Sequence, residues 1–148
     1  MIDQNTLPAL KLAISWHAAQ VRDDDEPYVI HPIRVAYDVY SSLESNRLYH
    51  ISTYRVVCAS LLHDVLEDTK CSREEILEVC GAEVLSVVEE LTRYTEGETR
   101  EIRHKALLEK ARSFSAEAAI IKIADRYDNL RDAQSSWSQD RLRRYARE

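Results

Sequence analysis

Glycine and proline are scarce, with two and three copies in 148 residues, against a combined roughly 12% in average proteins. A β-rich fold needs a turn every ~8–12 residues, and such turns lean on Gly, Pro and Asn. All-β and collagen-like architectures are therefore disfavoured, and an all-α domain is expected. Positive charge is also short: 20 Lys and Arg face 26 Asp and Glu, a net charge of −6. Proteins that coat DNA or RNA gain most of their affinity from surplus Lys and Arg. No nucleic-acid partner is expected, and an anionic ligand must meet local positive charge or a metal. The three cysteines, Cys58, Cys71 and Cys80, form no CxxC pair, and their odd number suits ordinary thiols in a reducing compartment. No apolar run approaches ~18 residues, and Met1-Ile2-Asp3-Gln4-Asn5 carries no basic stretch leading into an apolar one. These absences point to a cytoplasmic protein without a membrane partner.

What is present fits one domain over residues 1–148, long enough to bury a sizeable core. No repeat, low-complexity tract or Pro/Ser-rich linker divides it. Helices are placed by their ends. The first covers about Leu7–Val21, with Leu10, Ile14, Ala18 and Val21 at helical spacing, and stops at Asp23-Asp24-Asp25-Glu26. Pro32 suits a first helical position, which predicts a second helix to about Leu43 with His31 as its cap. A third spans about Thr53–Glu67. Ser72-Arg73-Glu74-Glu75 is a capping box, and Gly81 stops the short helix that it starts. A helix over about Glu83–Tyr94 follows, then a loop Tyr94–Arg100 containing Gly97. A polar helix over about Glu101–Arg112 comes next. Ser115 caps an apolar helix to about Ala133, and Ser138 caps a last one ending near Arg147. The sum is a compact bundle of about eight helices.

Two helices carry candidate chemistry. With ~100° per residue, the third places His63 at ~0°, Glu67 at ~40°, Asp64 at ~100° and Asp68 at ~140°, while Leu61, Leu62, Val65 and Leu66 occupy the opposite side. One reading is a solvated acidic face. The other is a metal site, because adjacent His and Asp offer one ion a nitrogen and an oxygen, which suits Mn²⁺, Fe²⁺ or Zn²⁺. Glu67 and Asp68, one turn on, would then handle water. On the apolar helix, Asp125, Asn129 and Asp132 recur at i, i+4 and i+7. An Asp that follows Ala118-Ala119-Ile120-Ile121-Lys122-Ile123-Ala124 is partly buried and needs a partner, either Arg126 or a metal.

His31-Pro32, then His63-Asp64-Val65-Leu66-Glu67-Asp68, then Ile121-Lys122-Ile123-Ala124-Asp125-Arg126-Tyr127-Asp128-Asn129-Leu130 resemble, in order, the signature of the HD-superfamily hydrolase domain of RelA/SpoT proteins. The resemblance covers nearly the whole chain, including His17-x-x-Gln20-x-Arg22, Pro27-Tyr28-Val29-Ile30, and Trp137-Ser138 with Arg141 and Tyr145. Having no synthetase domain, the chain is similar to free-standing small alarmone hydrolases of the metazoan SpoT-homologue type. The resemblance implies one Mn²⁺ held by His31, His63, Asp64 and Asp125, with Fe²⁺ or Zn²⁺ as alternatives. It implies removal of the 3′-pyrophosphate from guanosine tetra- or pentaphosphate, with Glu67 and Asp68 orienting and deprotonating water. Arg22 and Asn129 match positions near the ribose and phosphate, Tyr28 a substrate-facing tyrosine, and Tyr145 a residue near the base. The chain departs from the pattern at Asp23, where relatives commonly have Lys, and in a longer stretch around Asn46–Ser52.

Arg100, Arg103, His104 and Lys105 form a basic cluster on the polar helix, read either as a solvated face paired with Glu101 and Glu109 or, through Arg103 and Lys105, as an attraction for a polyphosphate substrate. His17 reads as a packed histidine, and His50 has no role. The leading expectation is a metal-dependent phosphohydrolase acting on a small nucleotide. The alternatives are HD chemistry on another phosphorylated metabolite, such as the 2′-phosphate of NADPH, and a catalytically silent nucleotide sensor. Glu67 and Asp68, which metal binding alone does not need, favour the enzyme.

Overall fold

Why the protein folds around its third helix is visible in the run Val56-Val57-Cys58-Ala59-Ser60-Leu61-Leu62, every member of which is buried. A helix apolar on all sides belongs in the middle of a bundle. The one polar side chain of that run, Ser60, is satisfied by donating to the Val56 carbonyl at 2.7 Å. In the computed structural model, which describes residues 1–22, 25–93 and 99–145, this helix is α3 (Thr53–Leu62). Around it lie α1 (Leu7–His17), α2 (Ile30–Ser45), α6 (Ala82–Leu91) and α8 (Ala116–Ser136), all packed against it. The short α4 (Val65–Asp68) and α5 (Arg73–Cys80) contact α1, while α7 (Arg100–Ala111) and α9 (Gln139–Tyr145) complete the chain. The described residues thus form an all-α bundle, as composition requires. None of the helices searched is long and apolar enough to cross a membrane.

Among the described residues there are nine helical segments against the about eight expected, because the helix expected over Thr53–Glu67 breaks at His63-Asp64. The chain turns there and restarts, with the Glu67 and Asp68 amides donating to the Asp64 carbonyl. The first helix also ends early, at His17, since the chain then folds back on itself. Val21 bridges Pro27, the Arg22 amide donates to the Glu26 carbonyl, and the Tyr28 amide donates to the Gln20 carbonyl. The second helix starts at Ile30, not at Pro32, with Val29 as its cap. Pro32 is then the third helical residue, where an amide still has no intrahelical acceptor, so it costs no hydrogen bond. His31 is therefore not a cap but a buried side chain inside α2.

Caps read from the sequence are present. Ser72 and Glu75 form the reciprocal capping box, and Ser115 accepts from the Ala118 amide at 3.1 Å. Gly81 adopts φ +83° between α5 and α6, a conformation that a side chain would strain. The helix α6 stops at Leu91 instead of Tyr94, and its terminal carbonyls are taken by Lys110, whose Nζ donates to Glu89 and Thr92 at 2.8 and 2.7 Å. That contact pins α7 beside α6. The proposed loop around Gly97, the role of Asp23 and the chain end near Arg147 lie outside the described residues.

Replacing a fully buried core leucine opens a cavity as well as losing transfer energy. Leu62→Ala should lower unfolding stability by about 2–5 kcal/mol, read from urea denaturation, whereas Ser115→Ala should cost about 1 kcal/mol by removing one cap.

Candidate metal centre

Three elements converge on one point. His31 comes from α2, His63 and Asp64 from the break after α3, and Asp125 from the middle of α8. The His63 Nε2 lies 3.0 Å from Asp64 Oδ2 and 3.8 Å from Asp125 Oδ1. The His31 Nε2 lies 3.3 Å from Asp125 Oδ1 and 3.6 Å from Asp64 Oδ2. One donor atom each from His31, His63 and Asp125 falls within 4.8 Å of the others, and all three residues are buried. These four residues are the ones that the sequence singles out, and the structure brings them together.

Both imidazoles are held from behind. The His63 Nδ1 is 2.7 Å from the Ser60 carbonyl, and the His31 Nδ1 is 2.7 Å from Asp128 Oδ2. Each ring therefore turns Nε2 inward, as a metal ligand would. The buried His63 Nε2 makes no well-aligned hydrogen bond at all, which is costly unless something else occupies that direction. Two nitrogens and two carboxylates fit a borderline or hard divalent cation.

The electrostatics agree. Burial pulls the His63 imidazole down, yet Asp64 and Asp125 outweigh it and hold the ring well above its usual range. Burial likewise opposes ionisation of Asp125, but His31, His63 and Lys122 keep its carboxyl well below the usual range. Two carboxylates facing two imidazoles need about two positive charges, which a divalent cation supplies as well as two ring protons do. Lys122, not Arg126, is the side chain paired with Asp125, Nζ to Oδ2 at 2.7 Å. Arg126 turns away, donating to the Tyr145 carbonyl at 2.8 Å and lying over its ring.

Around the centre, the Tyr28 hydroxyl donates to Asp64 at 2.6 Å and reaches Asp68 at 3.2 Å. Burial and those two carboxylates raise the phenol, so it stays a donor. Asp68 keeps one flank in solvent, and partial burial with the nearby Asp64 and Glu67 charges pushes it up to about 6. Glu67 is gripped by Arg93, which donates through Nε at 2.9 Å, Nη2 at 2.5 Å and its backbone amide at 3.2 Å. Arg93 escaped the sequence reading because its partner is 26 residues away and no pattern links them. His17 is packed against Tyr28 at 4.8 Å and contacts Gln20, as a core histidine does.

On α8, Asn129 donates to Asp125 Oδ1 at 2.6 Å and accepts from Arg22 at 2.9 Å, while Arg22 Nε meets Asp132 at 3.0 Å. Asp128 was also missed, although it lies three residues from Asp125 and so on the same side of the helix. It is fully buried and held by Arg34, which also bridges Asp132 and Glu26. Tyr145 packs edge-on to Trp137 at 5.2 Å, with Arg141 over the Trp137 ring. Lys105 is exposed on α7, the Arg103 side chain lies outside the described residues, and His50 is exposed in a loop.

Breaking a buried ion pair leaves an uncompensated charge, whereas an exposed pair is worth ~0–1 kcal/mol. Arg34→Ala should therefore cost about 3 kcal/mol in metal-free protein, since the buried Asp128 loses two charge-assisted hydrogen bonds and keeps those with Arg131 and His31. Arg73→Ala, which removes an exposed guanidinium from the half-buried Glu89, should cost less than Arg34→Ala, about 1 kcal/mol in the same urea titration.

This geometry has relatives. Residues 9–148 match the HD domain family. The chain is 37% identical over 145 residues to guanosine-3′,5′-bis(diphosphate) 3′-pyrophosphohydrolase MESH1 of Drosophila melanogaster, covering 94% of this chain and 77% of that protein. It is 35% identical over 149 residues to the Homo sapiens MESH1, with the same coverages. The guanosine-3′,5′-bis(diphosphate) 3′-pyrophosphohydrolase of Borreliella burgdorferi is 35% identical over 127 residues, which make up 82% of this chain but 18% of that much longer protein. A solved structure described as a metazoan ortholog of SpoT that hydrolyzes ppGpp superposes with a TM-score of 0.82 at 32% identity, over 98% of this chain and 81% of that one. With its helices, its inward-facing His and Asp residues and this likeness along nearly its full length, the chain belongs to the HD-domain family and, within it, to the kin of the MESH1 proteins.

Proposed function

We propose that the protein hydrolyses guanosine tetra- and pentaphosphate at the ribose 3′ position, releasing pyrophosphate and leaving GDP or GTP. The observation that carries this reading is the meeting of two Nε2 atoms and two carboxylates beside a second pair of carboxylates, Glu67 and Asp68. One divalent cation, with Mn²⁺ the first candidate, would be held by His31, His63, Asp64 and Asp125. Such an ion supplies Lewis acidity, polarising a phosphoryl oxygen and making water more acidic.

The chain's own residues do the rest. In the reaction, water adds to the phosphorus bonded to ribose O3′, the P–O3′ bond breaks, and O3′ takes up a proton. Asp68 accepts the proton of the attacking water, because its carboxylate reaches solvent and is aimed by the Tyr28 hydroxyl. Glu67 orients that water, since Arg93 fixes both of its oxygens in place. Asn129 joins Asp125 to Arg22 and so sets the floor on which the ribose and its phosphates rest. Tyr145 and Trp137, edge-on to each other, with Arg141 over the Trp137 ring, form an aromatic and cationic cluster suited to a purine. Lys105, with Arg103, lies on the helix that would draw a polyphosphate in.

Two measurements test this. Mn²⁺ titration after chelation should show one tight site in the wild type, lost in His63→Ala and in Asp125→Ala. Unchanged binding in both would remove the metal reading. Incubation of Mn²⁺-loaded protein with guanosine tetraphosphate should yield GDP and pyrophosphate in equal amounts. Changing Glu67 and Asp68 together to Ala should cut turnover by ~10²–10⁴ while leaving Mn²⁺ affinity within a few-fold. Turnover of NADPH but not of the guanosine nucleotide would assign the site to a 2′-phosphate substrate instead.

A further inference from the structure

The two inward-facing imidazoles are supported in unlike ways. Behind His63 is a neutral backbone carbonyl, that of Ser60. Behind His31 is a carboxylate, Asp128 Oδ2 at 2.7 Å, and this carboxylate is 0% exposed. A buried carboxylate is expensive, and this one is retained with a dedicated set of cations. Arg34 donates to it through Nε at 2.8 Å and Nη2 at 3.2 Å, and Arg131 donates to Oδ1. Arg34 is in turn braced by Glu26 and Asp132. Packing alone does not call for this arrangement, since an apolar residue of similar volume would fill the space without needing any partner.

We propose that Asp128 is a positioning residue for the metal centre: by accepting from His31 Nδ1, it fixes the ring's tautomer and aim so that Nε2 presents its lone pair to the cation. A carboxylate behind a ligating histidine raises the ligand's basicity as well as orienting it, and losing such a partner costs ~10–100-fold in metal affinity. Arg34 holds the carboxylate in register. The contacts run on from Arg34 through Asp132 to Arg22, then through Asn129 to Asp125. The two ligands from α2 and α8 are thus joined by one chain of hydrogen bonds and ion pairs. The aim of His31 is coupled through that chain to the residues on which the ribose and phosphates would rest.

This inference relies on the metal centre proposed above, and the experiment separates the two. Mn²⁺ affinity is measured by chelator competition for the wild type, His63→Ala, Asp128→Asn and Arg131→Ala. Asp128→Asn keeps the volume and should weaken Mn²⁺ by ~10–100-fold. Arg131→Ala removes a half-exposed cation from the other oxygen of Asp128, leaves the contacts with His31 and Arg34 intact, and should stay within about fivefold. In Zn²⁺-loaded wild-type protein, nitrogen-edited NMR should place the His31 ring proton on Nδ1, far downfield, and Asp128→Asn should shift it upfield. The wild-type spectrum decides the point even if the variant does not fold: a proton on His31 Nε2 overturns the proposal. Asp128→Asn binding Mn²⁺ as tightly as wild type, while His63→Ala loses it, also overturns it and leaves the metal centre standing. If His63→Ala binds as wild type does, the metal reading falls and this inference with it.

Discussion

Two carboxylates on one helix, Asp125 and Asp128, are withdrawn almost completely from water, at 5% and 0% exposure. Each would cost several kcal/mol alone, so the surrounding structure is arranged to neutralise them. Lys122 and the His31 and His63 imidazoles face Asp125, while Arg34 and Arg131 face Asp128. His31 stands between the two, with Nδ1 toward one and Nε2 toward the other. The pairing of α2 with α8, the position of the turn that carries Glu26 and the aim of both imidazoles all follow from satisfying these buried charges.

The second constraint is the end of α3. From Val56 to Leu62 the helix is buried on every side, and then two polar residues must be accommodated at its buried terminus. A helix that ends leaves carbonyls without intrahelical donors, and the Ser60 carbonyl is taken by the His63 ring. Breaking the helix there also frees Asp64 from the direction that a continuous helix would give it, about 100° from His63. The carboxylate swings instead to within 3.0 Å of His63 Nε2. The same break lets α4 start, and α4 holds Glu67 and Asp68 beside the centre. One local interruption therefore positions two metal-ligand candidates and both residues proposed to handle water.

An outer layer restrains the inner one. Tyr28 sits between His17 and His31 and ties Asp64 to Asp68. Arg93, arriving just after α6, holds Glu67, and Lys110 secures the end of that same helix. Through these contacts α6 and the loop before α2 both bear on α4, although neither supplies a proposed metal ligand. The likeness to MESH1 proteins at 35–37% identity spans all of these elements.

Much of this was legible in the chain. Scarcity of glycine and proline requires helices, because they supply most tight turns. Ser72, Gly81 and Ser115 mark helix ends because caps are local, made within three or four residues. His31, His63, Asp64 and Asp125 are legible because metal-ligand residue types stand at recognisable spacing and in a recognisable order. The break at His63-Asp64 was not legible, since nothing in Leu61-Leu62-His63-Asp64-Val65-Leu66 disfavours a continuous helix. Nor was the choice of Lys122 over Arg126 for Asp125, as both are close in sequence and only the packing of α8 decides which one turns inward. Arg93 on Glu67 and Arg34 on Asp128 join residues 26 and 94 positions apart. Local sequence determines where helices can begin and what chemistry each can carry. Which buried charge meets which cation is a property of the assembled interior, where the cost of an unpaired ion selects a partner from anywhere along the chain.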